Sequence, residues 1–281
     1  GDRVKTDARD AAHLARLLHL GQIVEVAVPT VAQEAARDLV RAREDCRGDL
    51  MTTWHRISKF LLRQGLVYYG GQAWTGKHEL WLRSQHFDDP ALTLAYESAL
   101  DAMVTCVHHR DRLDAAIVAM AADSEFTPVV QRLCCLRGVS TLTAFGMAVE
   151  IGDWERLTGR TIGAYLGLVP TEYSSGTTRS QGSITKTGNT HARRLLIEAA
   201  WHHRPGYRPS RDLRRRWDAA PAAARERGHA ANHRLHHRWA GFDARKKRPV
   251  VANTAIAREL VSRLVLVTGS HDRLISTQLS G

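Results

Sequence analysis

Val129-Val130-Gln131-Arg132-Leu133-Cys134-Cys135-Leu136-Arg137-Gly138-Val139-Ser140-Thr141-Leu142-Thr143-Ala144-Phe145-Gly146-Met147-Ala148-Val149 places one glycine-centred turn between two apolar runs. The spacing predicts helix, tight hairpin, helix. Such a hairpin turns backbone N–H groups outward, which suits a phosphate and makes Gly138 and Ser140 candidate nucleic-acid contacts. The second helix should stop at Gly152, with a short helix around Ile162 to Leu166 after it. Pro170 then ends regular structure. Beyond it, Ser174-Ser175-Gly176 sets two hydroxyls beside a residue free to take positive φ. Gly182-Ser183-Ile184-Thr185-Lys186-Thr187-Gly188-Asn189 adds a lysine between glycines. Thr190 is expected to cap a helix whose apolar face is Leu195, Leu196, Ala199 and Ala200, with Arg193 and Arg194 on its first turns.

Working outward, Thr6 to Leu18 patterns as a helix ended by Gly21, with Ala11, Leu14 and Leu18 on its apolar side. Asp7 and Asp10, three apart, share a face. Two such carboxylates can help hold a divalent cation, or they can simply complement the helix dipole. Ile23 to Val28 alternates and is β-branched, a strand closed by Pro29 and the strongest strand signal present. From Glu34 to Gln64 and from Leu92 to Ala122 the period is helical, and Trp74 to Leu82 forms a short helix between them. Two long amphipathic helices joined by a reversal predict an antiparallel coiled-coil arm, with a plain bundle core as the alternative. Trp54, Trp74 and Trp81 could stack bases, but at helical spacing they read first as core. His229, His233, His236 and His237 could hold a metal, or lie with Arg234 and Arg238 on a solvated or nucleic-acid-facing helix. Ala252 to Val267 is the last helix.

Charge narrows the function. The net charge is +11, and residues 201–281 hold 17 Lys and Arg against 6 Asp and Glu, so the surplus is entirely C-terminal. Arg208, Arg211, Arg214, Arg215 and Arg216 form one cluster, and Arg245, Lys246, Lys247 and Arg248 another, the footprint of a polyanion partner or else a solvated basic tail. No apolar run reaches the roughly 18 residues of a membrane helix, and no signal peptide is visible. Cys46, Cys106, Cys134 and Cys135 make no Cys-x-x-Cys pair, which fits buried thiols in a cytoplasmic, reducing setting.

Gly167-Leu168-Val169-Pro170, Tyr173-Ser174-Ser175-Gly176, Gly182 to Asn189 and Arg193-Arg194-Leu195-Leu196 together resemble the C-terminal domain of the insertion-sequence-110 family of transposases, also named for insertion sequences 116 and 902. Lys5-Thr6-Asp7-Ala8-Arg9-Asp10-Ala11 resembles the end of that family's RuvC-like nuclease domain, named for its Asp-Glu-Asp-Asp acids. Ala255 to Val261 follows the family pattern as well.

The resemblance implies a mainly α chain in four parts. Residues 1–33 would be the remnant of an α/β, RNase H-like domain, and 34–127 the long helical arm. Residues 128–215 would be a serine transposase domain with a helix-hairpin-helix, and 216–281 a basic helical tail. The first Asp and the Glu of the acidic set have no counterpart after Gly1, so the chain is expected to be N-terminally truncated. The resemblance further implies DNA strand cleavage and transfer by a serine nucleophile, guided by a noncoding bridge RNA. It places the nucleophile on the serine directly before the glycine, Ser175, with Ser174 as the fallback. Turn-forming serines are common before glycine, so loop chemistry alone leaves that role open. Asp7 and Asp10 would bind Mg²⁺ (or Mn²⁺), and Lys186, Arg193 or Arg194 would stabilise the added negative charge. DNA, RNA and a homo-oligomer, dimer or tetramer, would be the partners. The competing expectation is an inactive remnant that only binds nucleic acid.

Overall fold

The computed structural model describes residues 6–22, 28–173, 175 and 180–269. The chain forms two compact units, Gly1–Val31 and Ala32–Gly281. Its content is 68% helix and 3% strand, which bears out the mainly α expectation.

In the first unit, α1 (Asp7–His19) begins where expected because Thr6 takes an extended backbone and its hydroxyl accepts the Arg9 amide at 3.4 Å. Asp7 and Asp10 in the first turn and Arg16 and His19 in the last complement the helix dipole. No residue of α1 is buried, so its apolar side, Leu14 and Leu18 included, is uncovered. The strand expected over Ile23 to Val28 lies, apart from Val28, outside the described residues.

The second unit opens with two 33-residue helices, α2 (Val31–Arg63) and α4 (Pro90–Ala122), flanking the short α3 (Gly76–Arg83). Asp89 starts α4 by accepting the Ala91 and Leu92 amides at 2.8 and 3.1 Å, with Pro90 in the first turn, where a missing N–H costs nothing. Arg43 pairs with Asp114, the Cys46 thiol faces the Cys106 carbonyl, and Phe60 packs on Tyr96. Numbers rise along α2 as they fall along α4, so the two run antiparallel. The two ends of the pair pack differently. Leu50, Ile57, Phe60 and Leu61 meet Leu82, Tyr96 and Met103 in a separate core, whereas Ala36, Val40, Ile117 and Ala121 join the main one. Trp54 stacks on Trp74 at 4.8 Å, and both, with Trp81, are partly buried against the separate core.

The main core is built by α5 (Thr127–Leu133), α6 (Thr141–Ile151), α7 (Ile162–Tyr165), α8 (Thr190–Trp201), α10 (Ala222–Ala244) and α11 (Pro249–Thr268), with α9 (Arg211–Asp218) against it. The basic C-terminal region is therefore built into the domain. Ile256, Leu260, Val261 and Leu264 of α11 and Trp239 of α10 are fully buried, and truncating any of these aliphatics should cost about 2–5 kcal/mol. The only strands among the described residues are β1 (Pro170–Glu172) and β2 (Gln181–Ile184), an antiparallel pair with Pro170 opposite Ile184 and Glu172 opposite Gln181. Pro170 was expected to end regular structure. Instead it opens β1, a position that needs no donor.

The turn between α5 and α6 is tied down. The Arg137 amide donates to Asn232 and the Val139 amide to Leu136, so these two N–H groups are spent internally, contrary to the expectation of an outward-facing set. The Arg137 guanidinium reaches the Pro205 and Gly206 carbonyls, and Arg216 donates to the Val139 carbonyl. Gly138 sits at φ +81, and a Cβ there would lie 2.4 Å from the Ala199 carbonyl oxygen. Gly138→Ala should thus lower unfolding stability by on the order of 2–4 kcal/mol, since neither the backbone angle nor α8 can yield cheaply. Chemical denaturation checks this, and a change within about 0.5 kcal/mol, the range of ordinary surface substitutions, would contradict the packing argument.

Candidate functional site: a serine-bearing hairpin over a buried carboxylate network

The connection between β1 and β2 carries Ser175, which is exposed. Its stem is held by the Tyr173 amide donating to the Ser180 carbonyl at 2.9 Å and the Thr171 hydroxyl donating to the Ser183 carbonyl at 3.1 Å. Below the stem, the Thr185 and Lys186 amides donate to the Val169 and Gly167 carbonyls. Here two loops pack backbone on backbone. A Cβ on Gly188 would fall 2.0 Å from the Tyr165 carbonyl oxygen, and Gly188 takes φ +71. Lys186 adopts φ +57 and is exposed, a left-handed conformation that is unfavourable for a lysine and is held by these contacts.

Arg193 and Arg194, expected as phosphate contacts, are engaged within the protein. Arg193 donates to the Leu166 carbonyl at 3.0 Å and to the Thr187 carbonyl at 2.7 Å, so it pins the Lys186 turn against α7. Arg194 pairs with Glu44 of α2 and with Glu198 at 2.6 Å. The Glu198 partner was visible in the sequence as an i,i+4 pair. Glu44 is not, because it sits 150 residues away.

Beneath α8 lies the feature that the sequence reading missed. Glu150, at the end of the apolar α6, is buried with its side chain 1% exposed. It accepts two bonds from Arg41 at 3.2 and 3.1 Å, one from the Asn189 amide group at 2.7 Å and one from His191 Nδ1 at 3.0 Å. Burial alone would raise its pKa. The hydrogen bonds from His191, Arg41 and Asn189 outweigh that and hold it down at about 2. Asn189 also caps α8 through the Ala192 amide at 2.9 Å, one residue ahead of the expected Thr190. One carboxylate therefore joins α2, α6 and the start of α8. A lone acid inside the apolar run of α6 was the available signal, since a charge buried there needs partners.

The remaining expected residues fall into three places. Ser140 is exposed and caps α6 by accepting the Thr143 amide at 3.3 Å. On α9, Arg214 and Arg215 are exposed, with Arg215 paired to Asp212, while Arg216 holds the Gly138 turn. Lys246 and Lys247 project from the turn between α10 and α11, Lys246 at φ +50 and Lys247 over the Phe242 ring at 5.0 Å. His229 and His233 pack on each other and on Tyr207, and among the described residues no three His, Cys, Asp or Glu side chains converge as a metal site. Asp7 and Asp10 lie exposed on α1 in the first unit. Ser174 and Gly176 lie outside the described residues. No helix among those described is long and apolar enough to cross a membrane.

Residues 130–213, from the Gly138 turn through the Ser175 hairpin and α8, match the family described as Transposase IS116/IS110/IS902. The chain is 40% identical over 261 residues, 92% of its length, to y4qE of Sinorhizobium fredii (strain NBRC 101917 / NGR234), a protein named as a transposase, and spans 64% of that protein. It is 28% identical over 251 residues, 88% of its length, to the transposase for insertion sequence element IS1533 of Leptospira borgpetersenii, covering 72% of it. With the transposase for insertion sequence element IS1328 of Yersinia enterocolitica, identity is 40% over 80 residues, 28% of this chain and 23% of that one. Over residues 130–213 the chain is thus similar to the IS116/IS110/IS902 family of transposases, and the relatives that align with most of its length are named as transposases.

Proposed function

We propose that the protein cuts and rejoins DNA as the transposase of an insertion sequence, with the Ser175 hydroxyl as nucleophile. The observation that carries the reading is an exposed serine in a hairpin connection whose stem is bonded strand to strand and whose base is pinned by Arg193. A nucleophile in such a place can reach a phosphodiester while its support stays fixed. Ser175 Oγ gives up its proton and forms a P–O bond as the bond from phosphorus to the leaving nucleoside oxygen breaks, and that oxygen takes a proton. Attack by the hydroxyl of another DNA end on the serine phosphodiester reverses the step and frees the serine, so the number of phosphodiester bonds is conserved. Lys186, exposed beside the hairpin base, offers an ammonium to the charge that builds on phosphorus. Arg193 positions that lysine's turn.

Asp7 and Asp10 fit a shared divalent cation in the limited sense that Mg²⁺ (or Mn²⁺) is commonly held by one or two carboxylates, waters and substrate phosphate. When bound, such an ion supplies Lewis-acid stabilisation of phosphate charge and favours the deprotonated hydroxyl. Association of copies, as a dimer or tetramer, would bring the acidic pair of one to the serine of another. Arg214, Arg215, Lys246 and Lys247 supply backbone contacts for DNA and for a structured bridge RNA that selects it. The competing reading is a remnant that binds nucleic acid without cutting it.

Cleavage of DNA carrying the element's own ends, with its flanking transcript present, separates the two. Asp7→Asn and Asp10→Asn should each lower Mg²⁺-dependent cleavage by about 100-fold or more while binding is retained. Cleavage indifferent to both substitutions and to chelator would remove the acidic pair from the chemistry. Binding without any cleavage would favour the remnant.

A further inference from the structure

Between β2, the α7 segment and the α10–α11 pair lies an open cleft of about 1030 Å³. Its floor is apolar, formed by Leu168, Pro170, Ile184 and Ala255, and it continues onto Val250 and Val251, which are 68% and 47% exposed. Its rim is cationic. Arg160, Lys247 and Arg258 stand there without a carboxylate partner among the described residues, and Arg234, Arg238 and Arg263 converge from α10 and α11. One acid opposes the six. Glu259, 8% exposed, accepts Arg234 at 2.5 Å, Arg263 at 3.2 Å and Arg238.

That arithmetic leaves the cleft unsatisfied as it stands. A single carboxylate cannot occupy the five donors of each of three guanidiniums, and the buried Nε of Arg263 has no partner. The exposed faces of Arg234 and Arg238, hydrated as they stand, are open to a second anion. The apolar floor adds a separate demand, because a ligand that was only anionic would leave Val250 and Val251 uncovered. A duplex meets the first demand and fails the second, since its base faces are turned inward. An unpaired strand meets both, with phosphates on the rim and base faces against the floor. The volume, at the upper end of the roughly 300–1,000 Å³ of small-ligand pockets, suits a few nucleotides of one strand.

The geometry points to this cleft as a binding channel for an unpaired nucleic-acid strand running beside the Ser175 hairpin, whose β2 forms one wall. The inference rests on the nucleic-acid reading above and adds to it the strandedness of the partner and the residues that select it. Glu259 is a positioning residue here: it aligns three arginines without neutralising them. The six cations come from four separate segments, and only the fold assembles them.

The test uses the 281-residue chain, a labelled oligothymidylate of about six nucleotides and a blunt duplex, with anisotropy read over a range of salt. The double variant Arg160→Ala/Arg258→Ala alters exposed, unpaired positions and should fold normally. It should weaken strand binding about ten-fold or more and flatten the salt slope by about 1.4, two contacts at roughly 0.7 each, with duplex affinity changed less than about two-fold. Val250→Ser/Val251→Ser should weaken strand binding and leave the slope alone, a separation that a purely ionic surface would not give. Unchanged strand affinity in the arginine variant would overturn the inference. So would equal competition by duplex or by poly-glutamate. If the chain binds duplex but no strand, the cleft assignment falls alone; if it binds neither, the nucleic-acid reading falls with it.

Discussion

Ser175→Ala is expected to keep DNA binding within about two-fold and to lower strand cleavage and joining by on the order of 10³-fold or more. Removing a nucleophile eliminates the covalent route altogether, whereas one exposed hydroxyl is a small part of a contact surface dominated by basic side chains. Kinetics of end cleavage beside a binding isotherm would check it. The result is specific because other hydroxyls stand close by in sequence: Ser183 and Thr185 precede Lys186, and Thr171 is bonded to the Ser183 carbonyl. A Thr171→Val variant loses a stem bond worth about 1 kcal/mol and should retain most of the activity. Retained activity in Ser175→Ala would move the nucleophile elsewhere, to Ser174 first.

The second large effect is on stability. Glu150→Leu removes the carboxylate and leaves the partly buried groups of Asn189 and His191 without it, while the half-exposed Arg41 turns to solvent, which should cost about 3 kcal/mol. Glu150→Gln keeps the shape and part of the hydrogen bonding, and its loss should be smaller. The pH dependence gives the sharper signature. In the folded protein the Glu150 pKa is held at about 2, below the ordinary glutamate value of about 4.3. The unfolded chain therefore binds the proton more readily between these values. The contribution of this group, about 3 kcal/mol by linkage, is fully present above about pH 4.3 and is lost as pH falls toward 2. In Glu150→Gln that part of the acid-unfolding slope should disappear. An unchanged slope and midpoint would mean that the carboxylate does not hold α2, α6 and α8 together. Because Asn189 immediately precedes α8 and follows the Lys186 turn, the same substitution should also disturb the support of the Ser175 hairpin.

How far the structure could be read in advance follows from the range of the forces involved. The long helices were legible because their apolar spacing and ends are local: Thr6 caps α1, Gly152 closes α6 at φ +69, and α2 and α4 run within three residues of the expected limits. The strands β1 and β2 were not, since runs of three and four residues containing Pro170, Gly182 and Ser183 have neither the alternation nor the β-branched content of a strand signal. The hairpin position of Ser175 was accordingly unread, although Ser175 itself was named. Charge was legible as a total and misleading in detail. Arg193, Arg194 and Arg216 look like phosphate ligands in a sequence, yet carbonyls and carboxylates from distant segments occupy them. Conversely Arg160 drew no notice there and Arg258 stood only as one residue of the Ala255 to Val261 pattern, because what distinguishes them is the cleft they face. Glu150 shows the same limit, its partners lying 109 residues before it in Arg41 and 39 and 41 after it in Asn189 and His191.

The central claim is a covalent one, and the most direct measurement is the site of attachment. The protein is incubated with its DNA, its flanking RNA and Mg²⁺, and denatured. It is then digested, and the DNA-linked peptide is identified by mass spectrometry. The account predicts a nucleotide phosphate on Ser175 Oγ, absent in Ser175→Ala and suppressed by chelator. Attachment at Tyr173, at Ser183 or at any residue outside the β1–β2 connection, or cleaved DNA ends with no attached protein, would contradict it.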